Sequence, residues 1–194
     1  MDRDLELQLV DGLRRRDSAA FEAVHEAFNA RLYNFLARLS NSRDVAEDLL
    51  EETWLRLVAH AARLQPDTRL GPWLFTVARN VYNSYRRSRL IEDSGDVDSG
   101  LLVQGAATPS PLEAAAANEF ERRITAALAV LPTIYREALL LVGIEGLRPF
   151  EAAAVCGISA EAMRQRLSRA RALLDRQLTA TDTPGLSALK EIVT

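Results

Sequence analysis

Residues 159–174, Ser-Ala-Glu-Ala-Met-Arg-Gln-Arg-Leu-Ser-Arg-Ala-Arg-Ala-Leu-Leu, decide how this chain is read. Met163, Leu167, Ala170 and Leu174 recur at i, i+4, i+7 and i+11, the apolar stripe of a helix that packs on a core. At about 100° per residue, Glu161, Gln165, Ser168 and Ala172 fall on the opposite side, flanked by Arg164, Arg169 and Arg171. Ser159 is placed to cap the first free N–H groups, and Gly157 supplies the turn before it. Just upstream, Phe150 to Val155 form a second apolar segment, with Pro149 where a helix starts. Helix, Gly-containing turn and basic helix make the helix-turn-helix layout, and nucleic-acid binding is its first implication.

The surrounding sequence predicts an all-α protein. Apolar residues make up 48% of the chain, enough for a core, and Gly and Pro cluster outside the periodic stretches. Leu5, Leu9 and Leu13 predict a short first helix ending at Arg14-Arg15-Arg16. Asp17 or Ser18 caps a second helix, with the stripe Phe21, Val24, Phe28, Leu32, Phe35, Leu36 and Leu39. A third runs from about Asp44 to Ala62, and a fourth from Gly71-Pro72 to about Arg89. Four helices with short connections predict a compact bundle over residues 1–90.

Periodicity then disappears. Residues 91–118 carry five acids and no base, with Ser94-Gly95-Asp96 and Thr108-Pro109-Ser110-Pro111, and are expected to form a flexible acidic linker. Phe120, Ile124, Leu128 and Leu131 restart the helical pattern, and Pro132 opens another helix through Val142. The second helical domain is expected over 119–178, followed by a tail, 179–194, with a weak apolar pattern at Leu186, Leu189 and Ile192.

Charge limits the nucleic-acid reading. Net charge is −3, but residues 1–90 carry +1, the linker −5 and residues 119–178 +2. A free-standing DNA binder is usually far more basic, so contact with DNA should be weak unless a partner helps. The single cysteine, Cys156, excludes an internal disulfide and reads as buried filler in a reducing compartment. The start, Met-Asp-Arg-Asp-Leu-Glu, lacks a secretory pattern, and the apolar run Ala138 to Ile144 is too short to span a membrane. The expected location is the cytoplasm, without membrane insertion.

Two further stretches carry chemistry. Asp44, Glu47, Asp48, Glu51 and Glu52 occupy an arc of roughly 140° on the third helix, opposite Val45, Leu49, Leu50, Thr53, Trp54 and Leu57. Like charges four apart weaken an isolated helix by a few tenths of a kcal/mol per pair. Two explanations stand side by side: acids favouring the helix N-terminus on a solvated face, or a docking face for a basic partner. On the fourth helix, Trp73, Phe75, Arg79, Tyr82, Tyr85, Arg86, Arg87 and Arg89 interleave rings and guanidiniums. Arginines attract phosphates and exposed rings stack on unpaired bases, although Trp73, Val77 and Val81 share a face that also suits a core.

Taken together, three motifs resemble a known family. Asp44-Val-Ala-Glu-Asp-Leu-Leu-Glu-Glu-Thr-Trp-Leu-Arg-Leu57 resembles the second region of the extracytoplasmic-function (ECF) sigma factors of bacterial RNA polymerase. Gly71 to Arg87 resembles that family's Trp-Leu-Phe-x-x-Ala-Arg-Asn segment. Leu131-Pro132 with Arg136, Glu151-Ala152-Ala153 and Gly157 through Arg171 resemble its fourth region. The motifs occur in the family's order, and the likeness covers about residues 5 to 178.

The resemblance implies roles. The acidic helix (Asp44, Glu47, Asp48, Glu51, Glu52) would dock on the clamp coiled coil of the polymerase β′ subunit, and the fourth region would meet the β flap. Leu64 to Leu70 and the next helix would melt the minus-ten element and hold an extruded base, with Arg69, Trp73, Arg79, Asn80, Tyr82, Tyr85, Arg86 and Arg87 as candidates. Unstacking a base costs a few kcal/mol, which a pocket must offset. The helix-turn-helix would read the minus-thirty-five element. Arg164 suits a guanine edge, Gln165 an adenine edge and Glu161 a cytosine amino group, Arg169 and Arg171 are better placed for phosphates, and Ser168 is a further candidate on the same face. Arg166 points toward the apolar side, for packing or snorkelling. An anti-sigma partner is implied as well.

A linker of 28 residues reaches at most about 95 Å. Promoter elements some 25 base pairs apart are separated by roughly 85 Å, so the tether spans them only when nearly extended. The chain departs from the family at Glu161, commonly Gly, at Ala162-Met163, usually Thr-Val, at Arg148-Pro149 and at Glu51, commonly Gln. Glu161 could shift promoter preference.

The alternative is a one-component helix-turn-helix regulator whose residues 1–90 sense a ligand or dimerise; it predicts palindromic sites and leaves the acidic face unexplained. No enzyme is expected. His25 and His60 stand on different helices, and there is no HExxH, phosphate loop or metal-type Cys/His spacing, so no cofactor is expected either.

Overall fold

The computed structural model describes residues 2–93 and 119–180. Among the described residues every regular element is helical. The elements are α1 (Arg3–Arg14), α2 (Ser18–Ser40), α3 (Arg43–His60) with a 3-10 turn at Ala61–Arg63, α4 (Leu70–Asp93), α5 (Glu119–Ala129), α6 (Thr133–Leu139) with a π-helical turn at Leu140–Ile144, α7 (Pro149–Cys156) and α8 (Ala160–Ala180). None of the described helices is long and apolar enough to cross a membrane. The residues fall into two compact units. Residues 38–43 group with α5 to α8 in the second, and the rest of α1 to α4 make the first.

The first unit follows from interlocking stripes. Asp17 Oδ1 accepts from the Ala19 N–H at 3.0 Å and starts α2. Val24, Phe28, Leu32, Phe35 and Leu36 are all buried along it, as the spacing requires, and so is Leu39 in the stretch that groups with the second unit, while Phe21 is half-buried. Phe35 meets Phe75 of α4 edge to face at 5.3 Å. Leu49 and Leu57 of α3 and Leu70, Leu74 and Ala78 of α4 complete the core. Each such buried leucine contributes about 1.5–3 kcal/mol relative to an exposed one.

Two expectations change here. The leucine row Leu5, Leu9, Leu13 faces the core only at its end: Leu13 is buried, Leu9 is half-buried and Leu5 is 49% exposed, while Glu6 and Val10 are buried beside Leu13. The inward face centres on Glu6, Val10 and Leu13, and Glu6 has a distant partner there, the N-terminus of α4. The fourth helix also continues past Arg89 to Asp93, into the segment expected to be linker from residue 91. The rest of that segment, 94–118, and the tail from 181 lie outside the described residues.

In the second unit, α8 packs on α5, α6 and α7 through the buried row Met163, Leu167, Ala170 and Leu174. Arg136 of α6 is buried and closes the end of α5, donating to the carbonyls of Leu128 (2.9 Å), Ala129 (2.6 Å) and Leu131 (3.1 Å). The last carbonyls of a helix lack internal partners, and a guanidinium satisfies several at once. The helix expected from Pro132 through Val142 is α-helical only to Leu139, then widens into the π turn, where the Glu145 N–H reaches the Leu140 carbonyl at 2.9 Å.

Candidate protein and nucleic-acid interfaces

The turn of the helix-turn-helix is built as the sequence dictates. Pro149 occupies the first turn of α7, and the Glu151 carboxylate accepts from the Arg148 backbone N–H at 2.9 Å, a cap that replaces the missing polar residue at 148. Gly157 ends α7 at φ 66°, with the Ile158 N–H bonded to the Ala153 carbonyl at 3.0 Å. Glycine reaches this left-handed geometry without steric cost. Ser159 Oγ then accepts from the Ala162 N–H at 3.1 Å and starts α8. Cys156 is buried, its Sγ donating to Glu137 Oε2 at 3.5 Å.

All six candidate side chains on α8 are exposed: Glu161, Arg164, Gln165, Ser168, Arg169 and Arg171. Arg166 is half-buried. Glu161, Arg164 and Gln165 are also joined to one another. Arg164 Nε donates to Glu161 Oε2 at 3.1 Å and Gln165 Nε2 to Glu161 Oε1 at 3.4 Å. The hydrogen bond from Arg164, then that from Gln165, then the charge of Arg164 hold the Glu161 carboxyl below its ordinary range. Glu161 is thus hydrogen-bonded to the two neighbours that the sequence nominates for base contacts.

On α4 the candidates separate. At about 100° per residue, Trp73, Arg79, Asn80, Arg86 and Arg87 share an arc of roughly 140°. Asn80, Arg86 and Arg87 are exposed, and Trp73 and Arg79 half-buried. Tyr82 is not available as a stacking ring. It is 5% exposed, next to buried Val81 and one turn from buried Ala78, with the Arg86 guanidinium 5.8 Å from its ring. Alternation of rings and arginines in sequence did not reveal that the rings fall on the core edge of the helix. Tyr85 projects in the direction of the Leu74, Ala78 and Val81 row and is half-buried. Arg69, in the loop before α4, pairs with Glu6 at 3.3 Å.

The acids of α3 point outward. Asp44, Glu47, Asp48 and Glu51 are exposed, and Glu52 is half-buried in an ion pair with Arg56 at 2.7 Å. Beside them lies a feature that charge patterning missed. Glu47 and Glu51 border a groove of about 420 Å³ whose other walls are Leu50, Trp54, Leu55 and Val58 of α3 and Phe21 and His25 of α2. Leu55 and Val58 are each 57% exposed. Trp54 is fixed there by a hydrogen bond to Asn29 Oδ1 at 3.0 Å and by Phe21 and His25, at 5.9 and 4.8 Å between ring centroids. The signal was present, since Leu55 and Val58 follow Glu51 at i+4 and i+7. Among the described residues no group of His, Cys, Asp and Glu is arranged to hold a metal ion.

The fold and these surfaces define a helix-turn-helix nucleic-acid-binding protein with a separate acidic, apolar-edged face suited to another protein. Comparison with known proteins narrows the class. The family model described as Sigma-70 region 2 matches residues 24–90, and that described as Sigma-70, region 4 matches residues 121–174. The chain is 41% identical over 147 residues to the ECF RNA polymerase sigma factor EcfG of Rhodopseudomonas palustris, covering 74% of this chain and 77% of that protein. It is 35% identical over 158 residues to the RNA polymerase sigma factor CarQ of Myxococcus xanthus, covering 80% and 88%. Among solved structures, the sigma factor RpoE of Bartonella quintana, crystallised with the anti-sigma factor NepR, superposes with a TM-score of 0.66 at 28% identity, covering 82% of this chain and 96% of that one. The chain belongs to the ECF sigma factors of bacterial RNA polymerase. Its function is that of the family, promoter-specific initiation of transcription by core polymerase, and the one-component regulator reading is not favoured.

Proposed function

We propose that the two units divide the work of initiation between them. The observation that carries this reading is the α2–α3 groove: an apolar trough edged by Glu47 and Glu51 suits an amphipathic helical partner with basic residues at its rim. The occupant is the clamp coiled coil of the core β′ subunit, contacted by Asp44, Glu47, Asp48, Glu51 and Glu52 around Leu55 and Val58. The arc of Trp73, Arg79, Asn80, Arg86 and Arg87 meets the minus-ten element. Asn80 is suited to an extruded base, and the exposed arginines to phosphates.

The exposed face of α8 enters the major groove at the minus-thirty-five element. Arg164, Gln165 and Glu161 reach base edges, Arg169 and Arg171 reach phosphates, and Ser168 the backbone between them. The second unit also meets the β flap. The domain division follows the sequence with its boundaries moved to the helix ends: residues up to 93 for docking and melting, 94–118 as an acidic tether, 119–180 for duplex reading and 181–194 as a tail. The protein acts in the cytoplasm as a specificity factor and catalyses nothing itself. An anti-sigma protein holds it inactive; support comes from RpoE of Bartonella quintana, whose structure is a complex with such a partner.

The division is tested by placing a photo-crosslinking amino acid at position 55 or 168 and assembling the full chain with core polymerase on promoter DNA. Crosslinks from 55 to β′ and from 168 to the minus-thirty-five duplex are expected. A crosslink from 55 to DNA, or from 168 to no DNA, overturns the assignment.

A further inference from the structure

A charge cluster with a buried carboxylate at its centre sits against the loop that precedes α4. Glu6 of α1 is 7% exposed although it carries a carboxylate. Its Oε1 accepts from the backbone N–H of Leu70, the first residue of α4, at 2.8 Å. Its Oε2 lies 2.6 Å from Arg3 Nη1 and 3.3 Å from Arg69 Nε. Arg3 extends the cluster, donating through Nη2 to the Asp67 carbonyl at 2.8 Å and through Nη1 to the Thr68 carbonyl at 3.4 Å. Two side chains one turn apart on α1 therefore hold backbone groups of residues 67, 68 and 70 and the side chain of Arg69.

A leucine at position 6 would continue the buried row with Val10 and Leu13 and would bury no charge. The carboxylate instead does two things at the loop. It caps the N-terminus of α4, where a negative charge is favoured, and it anchors Arg69 at Nε while that side chain remains 49% exposed. An anchored guanidinium loses less conformational freedom on meeting a phosphate than a loose one.

We propose that Glu6, seconded by Arg3, is a positioning residue for promoter opening, holding residues 67–70 in the shape that receives the separated minus-ten strand. This rests on the minus-ten assignment given above. Glu6 touches no DNA in this account; it acts through Leu70 and Arg69.

The test uses the full chain with core polymerase and a promoter carrying 2-aminopurine in the minus-ten element, whose fluorescence rises on unstacking. Glu6→Gln keeps an acceptor for the Leu70 N–H but removes both ion pairs, and Arg3→Ala removes the contacts to the Asp67 and Thr68 carbonyls. Both variants are expected to co-elute with core as the parent does and to slow opening roughly tenfold. On a template with a pre-formed minus-ten bubble they are expected to recover to near parental activity. A purely structural role would lower the melting temperature and core binding together and would not be rescued by the bubble. If Glu6→Gln unfolds, Arg3→Ala decides alone. Opening at the parental rate in the folded variants, or an equal loss on duplex and bubble templates, overturns the proposal. Failure of the parent protein to open any promoter overturns the minus-ten assignment itself, and this proposal with it.

Discussion

Gly12 and Ala20 stand so close that a Cβ on Gly12 would lie 2.5 Å from the Ala20 methyl. This approach is where α1 folds back against the start of α2, and the Asp17 N–H closes it by bonding to the Gly12 carbonyl at 3.0 Å. The close neighbour is a Cβ atom, which cannot rotate aside. Gly12→Ala should therefore destabilise the first unit by about 1–3 kcal/mol, an overpacking cost, despite alanine's better helix propensity. Urea unfolding measures it, and adding Ala20→Gly should restore part of the loss.

Arg136 gives a prediction of the same kind in the second unit. It satisfies the carbonyls of Leu128, Ala129 and Leu131 from a buried position. Lysine keeps the charge but not the planar fork, so Arg136→Lys should cost about 2 kcal/mol or more through carbonyls left unsatisfied. Thermal unfolding of the full chain, followed by a probe in the second unit, reads this out.

The Glu161 carboxyl titrates below its ordinary value of 4.5, chiefly because Arg164 and Gln165 donate to it. A depressed folded-state pKa contributes stability that is present above the unfolded pKa and lost as pH falls through the folded one. Carboxyl NMR should place the Glu161 midpoint below that ordinary value, and Arg164→Ala should move it up. A midpoint unmoved by Arg164→Ala would remove the network as its cause.

Two arginines on α8 should fail differently. Arg164→Ala should cost about 1–3 kcal/mol on promoters with the preferred base and relax selectivity at that base pair. Arg171→Ala should weaken all sequences alike and flatten the salt dependence. Binding of the assembled holoenzyme to a panel of minus-thirty-five variants at two salt concentrations separates them. Glu161→Ala, by releasing Arg164 and Gln165, should broaden the set of accepted sequences.

Legibility in sequence depended on whether a residue's partner is near or far along the chain. Met163, Leu167, Ala170 and Leu174, the Ser159 cap and the Gly157 turn are set by neighbours within a few residues, and all were readable. The α2 stripe was readable for the same reason. Glu6 was not, because its partner lies 64 residues away and a carboxylate ordinarily marks the outside of a helix. Tyr82 reads with the arginines because alternation along a helix carries no information on which edge meets the core. The acids of α3 were legible as a charged arc. The groove beside them needed Phe21 and His25 from another helix to become a surface.

The central claim is that this chain confers promoter specificity by docking its acidic groove on core polymerase. The direct measurement is reconstitution: purified core enzyme with the full chain, size exclusion, then run-off transcription on a set of promoters. The account predicts co-elution with core and transcription from a restricted set of promoters. It also predicts that both are lost when Asp48, Glu51 and Glu52 are changed to Lys in a variant that still folds. No association with core, together with dimeric binding to palindromic duplexes, would contradict it.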